Sequence, residues 1–166
     1  MDIAAWLIQA LHVTAAITWL GGHLTWQHLI LPAWFRQPIE TQRELGRSLV
    51  ARYERLIVPT ALVVVVSGAF RGTAFGRIHT IDDLSSRYGL AWATALALIV
   101  VTFAIGARLG TPRVRAYLDD DGAWSAAVRG DMGALLRRRR AFVSALRIEL
   151  GVMLVVLGLM FVMRFT

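Results

Sequence analysis

The chain contains no cysteine. That absence excludes disulfides, thiolate zinc sites, cysteine-ligated iron–sulfur clusters and a cysteine nucleophile, and leaves any metal to His, Met, carboxylate or backbone oxygen. Lysine is absent as well, so all 18 basic residues are arginine, a choice that follows genomic base composition and carries no functional weight. Charge is scarce, at 17% of 166 residues against 57% hydrophobic, which is far too apolar for an ordinary soluble domain of that length. The formal charge of +7 would suit nucleic acid, but the arginines sit between long apolar runs. Anionic headgroups and the positive-inside rule account for them there, and nucleic-acid binding is rejected. After Asp2 no charge appears until Arg36, with no basic leader and no short apolar run ending in a cleavage site, so the opening does not read as a cleaved signal peptide. Neither an internal repeat nor a low-complexity linker is visible.

What is present is long apolar runs. A membrane-spanning helix needs roughly 20 such residues at about 1.5 Å each. Four stretches qualify: about 3–35, 52–75, 88–109 and 141–165. The pattern predicts an all-α integral membrane protein, a four-transmembrane-helix bundle forming one domain over 1–166. The second stretch is the shortest, because only LIVPTALVVVVSGAF lies between Arg55 and Arg71, and it spans if Arg52, Arg55 and Arg71 snorkel to the headgroups. The fourth carries Arg147 and Glu149 in its first half. Arginine is concentrated in 36–55 and 108–140, with only Arg71, Arg77, Arg87 and Arg164 on the other face. The loops 36–51 and 110–140 are therefore expected in the cytoplasm and both termini outside. Residues 122–136, preceded by Asp119, Asp120 and Asp121 as N-caps, are expected to form a short helix on the inner interface.

The first stretch holds the residues with chemistry. At about 100° per residue, His12, Ala15, Ala16, Trp19, Gly22, His23 and Trp26 share one face. Small residues permit close approach, and imidazoles inside a membrane are costly unless paired or ligating. His12 is either an axial ligand to haem iron, a copper ligand, or a histidine hydrogen-bonded to a Ser or Thr of another helix. A second ligand within the chain would be Met153, at similar depth. Pro59 and the pair Ser67-Gly68 mark a kink and a small patch near the depth of His12, where helix packing or a porphyrin would fit. His23 lies about 16 Å along the axis from His12, so the two cannot hold one iron. Its depth matches that of Glu149, which points to a Glu–His contact acting as a structural clasp or a proton relay. His28 reads as interfacial and His79 as an outer-loop residue or copper entry ligand.

The runs ALHVTAAITWLGG, YERLIVPTALVVVVSGAF, YGLAWATALAL and ALRIELGVMLVVLGL resemble the membrane core of the copper-resistance protein D (CopD) family and the related HemJ-type protoporphyrinogen oxidases. The resemblance implies a multi-pass protein of the bacterial inner membrane that binds haem b or handles copper. It matches His12 to the first-helix histidine of both groups, Trp19 and Gly22 to the Trp and Gly that follow, and Glu149 to the last-helix acid. The chain departs where those families carry a third-span Lys, here Ala93 or Thr94. It departs again at His28, where HemJ-type proteins carry Arg, and at Ile148, where they carry Asn.

Three functions follow as expectations. The first is a haem-binding membrane redox protein centred on His12, with Trp19, Gly22, Ser67, Gly68 and Met153 around the cofactor. The second is a copper uptake or resistance protein, for which Met153, Met160 and Met163 would be soft ligands for Cu(I). The third is a noncatalytic subunit, as a homodimer or in a larger membrane complex, because no complete catalytic constellation is visible. The arginine distribution makes a direct prediction: a reporter fused after Thr166 should read as external and one inserted near Gly122 as cytoplasmic. The reverse pattern would invert the topology.

Overall fold

The structure is a computed structural model that describes residues 2–165. Those residues form helices and turns, with no strand among them. Helix α1 runs Ile3–Phe35, α2 Ile39–Gly72, α3 Arg87–Leu118, α4 Asp121–Val128 and α5 Gly133–Arg164. Of these, α1, α3 and α5 are long and apolar enough to cross a membrane. Their outward side chains fit that setting: Leu7, Leu11 and Ile17 on α1, Val100 and Val101 on α3, and Leu154, Val155 and Phe161 on α5 are all exposed. Water would not tolerate so large an apolar surface on a monomer, whereas lipid tails do.

The segments 36–51 and 110–140, expected as the connections between spans, are largely helical apart from residues 36–38, 119–120 and 129–132. Helix α2 already begins at Ile39, α3 continues to Leu118, and α5 begins at Gly133. The arginines mark these segments as polar on average, but each also carries an apolar stripe that needs burial. Trp34, Val50, Tyr117, Trp124, Leu135, Phe142 and Leu146 meet in one buried aromatic and aliphatic cluster at the arginine-rich end of the bundle. Helix α4 overlaps the expected 122–136 helix, but it starts at Asp121 and ends at Val128, and residues 133–136 belong to α5. Asp120 caps it, accepting from Ala123 N at 3.0 Å. Its Ala123, Trp124 and Ala127 are buried in that cluster, so the helix packs on protein. The Ala123 bond and Arg138 hold the Asp120 carboxyl below the usual carboxylate range. Arg43 pairs with Asp121 and Arg47 with Asp119, and Arg138 Nη2 lies 3.0 Å from Asp120, tying α2 and α5 to the α4 turn.

The chain forms two antiparallel hairpins, α1 with α2 and α3 with α5, which pack more sparsely on each other than within themselves. Both α1 and α3 are interrupted by a wide π-type turn, at Trp26–Ile30 and Gly106–Gly110. Pro32 and Pro112 follow directly. A proline inside a helix lacks the N–H and its ring crowds the carbonyl four residues back, and a widened turn relieves both problems. A second buried cluster, with Ala15, Trp19, Ile57, Ala61, Val64, Ala95, Ile99, Met153 and Val156, fills the bundle at mid-depth.

In the aromatic cluster, the Trp34 indole donates to Gln42 O at 2.7 Å and lies flat against Gly46, where a Cβ would collide with the ring. Gly46→Ala should therefore lower stability by about 1–3 kcal/mol, read as a fall in the thermal midpoint of detergent-purified protein. An unchanged midpoint would mean that the indole can move aside.

Candidate functional site

The inward stripe of α1 is real: His12, Ala15, Trp19, His23 and Trp26 are all buried. Its two buried histidines have different surroundings. His12 Nδ1 lies 3.0 Å from Ser67 Oγ on α2, the hydrogen bond to another helix that was one of the three readings of this residue. Gly68 stands directly beside the ring, so that a Cβ there would approach His12 Cε1 to 3.1 Å. The small patch at Ser67-Gly68 is thus filled by the imidazole itself. Met153 packs in the mid-depth apolar cluster with Trp19 and Ala61. Gly22 faces Ile57, whose side chain takes the space that a Cβ would need. The residues around His12 do not fit a haem macrocycle in this arrangement. No group of three His, Asp or Glu side chains converges among the described residues. His28 and His79 are exposed, and Asp83 ties the His79 backbone N–H at 2.8 Å.

His23 occupies the more informative position. It is 2% exposed, and its Nε2 lies 3.5 Å from Glu149 Oε1, where the Glu149 side chain is 13% exposed. Matched depth on α1 and α5 thus became contact. His23 Nδ1 lies 3.3 Å from Trp19 O. A carbonyl only accepts, so Nδ1 carries the proton and Nε2 presents a lone pair to Glu149 unless the ring is charged. The Nε2–Oε1 approach is then attractive only if one proton resides between the two groups, on the carboxyl or on the ring. The separation is longer than a formed hydrogen bond, and a small rotation of Glu149 closes it.

Two residues outside the expected set complete the site. Gly106 opens the π turn of α3, and a Cβ there would stand 3.1 Å from Glu149 Oε1, so its bare backbone makes room for the carboxylate. Tyr53 of α2 stacks on Trp26 with ring centroids 4.4 Å apart and meets the His23 ring edge-on at 5.7 Å. Its hydroxyl is buried without a hydrogen-bond partner. His23, Glu149, Tyr53 and Gly106 line one cavity of about 310 Å³ between the two hairpins, walled by Trp19, Trp26, Phe103 and Phe142. That volume lies at the small end of ligand-binding sites, roughly 300–1,000 Å³. Tyr53 was passed over because it sits within an arginine-rich segment, and Gly106 because a glycine ending an apolar run carries no chemical label. The one available signal was the Gly-x-x-x-Gly-Thr-Pro run at 106–112, which marks a disturbed helix.

Comparison with protein-family models, with curated proteins and with solved structures finds no match.

The His23–Glu149 contact predicts strong coupling. His23→Leu or Glu149→Leu alone should each destabilise the detergent-solubilised protein by about 3 kcal/mol, by stranding the surviving partner. The double replacement should recover much of that loss. Strictly additive losses would show that the two groups do not interact.

Proposed function

We propose that this chain is a four-span protein of the bacterial inner membrane, with both termini external and its arginine-rich segments cytoplasmic, and that its working centre is an intramembrane proton-handling site built on His23 and Glu149. The observation that carries the proposal is the 3.5 Å approach of a buried imidazole to a partly buried carboxyl on the wall of a cavity. Ionisable groups inside a membrane bundle are costly, and pairs of them facing a cavity are the usual elements of proton relays. Two groups that hold one proton between them can accept or release it as a bound molecule requires.

The fourth span is α2. It lies antiparallel against α1, an apolar membrane helix, and must share its surroundings. Between Arg55 and Arg71 its exposed side chains Leu56, Val58, Leu62, Val66 and Phe70 are all apolar. Arg52, Arg55 and Arg71 frame that stretch, which at about 1.5 Å per residue is shorter than a hydrocarbon core of about 30 Å, so snorkelling makes up the difference. The CopD and HemJ-type resemblance supports the bacterial inner membrane and the importance of Glu149. It also supports haem b on His12, but the Ser67 bond and the closeness of Gly68 favour a structural role for that residue.

Infrared spectroscopy of the purified protein should reveal a protonated-carboxyl band that shifts in deuterium oxide, vanishes in Glu149→Gln and moves in His23→Leu. A band absent at every pH where the fold holds, or one indifferent to both replacements, would sink the proton site. The same preparation, made with ample haem, distinguishes the alternative. A Soret band lost in His12→Ala would restore haem as the cofactor, and its absence would leave His12 as a helix-to-helix clasp.

A further inference from the structure

The cavity at His23 has the attributes of a site for a small lipid-soluble ring. Its mouth lies between α2 and α3, where Val58 and Ala107 line the cavity and are also exposed on the outer surface of the bundle. Val58 belongs to the apolar face of α2, and Ala107 ends the apolar run of α3 immediately before Arg108. An apolar occupant entering past Val58 and Ala107 would come from the lipid phase, while Glu54 and Thr111 of the same two helices add polar groups to the lining. The interior combines aromatic walls with the hydrogen-bonding groups of His23, Tyr53 and Glu149. Trp19 and Phe103 stack with centroids 6.2 Å apart, and Trp26 stacks on Tyr53. The buried Tyr53 hydroxyl has no hydrogen-bond partner among the described residues, and a buried hydroxyl left unpaired costs stability unless something else satisfies it.

Resting on the proton-site reading of His23 and Glu149, we propose that this cavity binds the head group of a membrane-dissolved quinone, one carbonyl oxygen accepting from the Tyr53 hydroxyl and the ring lying between the aromatic walls. A quinone matches each feature of the site. It is planar and apolar on its faces, it accepts hydrogen bonds at its edge, and it carries a lipid tail that can leave through the lateral mouth. A volume of about 310 Å³ suits one such ring without its tail. Glu149 and His23 line the same cavity, and the carboxyl, when it holds the shared proton, is the group of the pair that can donate to a ring oxygen. A phospholipid acyl chain would fill the same apolar space and leave Tyr53 unsatisfied, which makes it the inferior occupant.

The test uses the full chain in detergent micelles, titrated with a benzoquinone bearing a decyl tail and followed by tryptophan fluorescence, since Trp19 and Trp26 line the cavity. Quenching should saturate. Tyr53→Phe should weaken the apparent affinity about fivefold, the value of one neutral hydrogen bond. Ala107→Phe, at the exposed mouth, should remove the saturable phase, and a long-chain alkane should fail to displace the quinone. Quenching that never saturates, saturation untouched by both replacements, or displacement by alkane overturns the proposal. In any of those cases the His23–Glu149 coupling cycle shows whether the proton site stands without this ligand or falls with it.

Discussion

A carboxyl group on a membrane-crossing helix must find a partner inside the protein, because lipid offers none. Glu149 on α5 is in that position, and much of the middle of the bundle is arranged around it. His23 approaches from α1, and the Trp19 carbonyl sets the tautomer that leaves its Nε2 facing the carboxyl. Gly106 gives the carboxyl room from α3. Tyr53, from α2, encloses the imidazole. Three side chains and the bare backbone of Gly106, one residue from each of the four long helices, thus converge on a single polar point, which constrains their relative depth.

The two hairpins would have little to hold them at that distance without a second device. The aromatic cluster at the arginine-rich end supplies it, with Trp34, Tyr117, Trp124 and Phe142 stacked edge to face. Ion pairs from Arg43, Arg47 and Arg138 to three successive aspartates lie across its surface. Exposed pairs of this kind add little stability singly, and the buried aromatics carry most of the energy. Because this cluster and the mid-depth cluster each close on themselves, the space between them stays open as the cavity. The two proline-linked π turns lie at this level and widen the helices that border it.

The two buried histidines of α1 show how much depends on the opposing helix. Both sit on the same stripe, and both are buried. His12 meets a serine hydroxyl and a glycine, and its ring fills the space available. His23 meets a carboxyl, a tyrosine ring and open volume. Identical residue types on one helix face therefore meet a hydroxyl in a filled space in one case and a carboxyl beside a cavity in the other.

By itself the sequence determined the helical membrane character, the inward stripe of α1 and the shared depth of His23 and Glu149. Each of these depends on regularities local to one helix: apolar length, a 3.6-residue period and a rise of about 1.5 Å per residue. Only the tertiary structure decided that the arginine-rich segments are helices, since their apolar stripes gain stability by meeting residues more than seventy positions away, as Val50 does in one cluster with Trp124 and Leu135. Only it decided that Ser67-Gly68 receives an imidazole. The place of the cavity was likewise set by the packing of two hairpins, because a void is bounded by residues from four helices and leaves no periodic trace in any one of them.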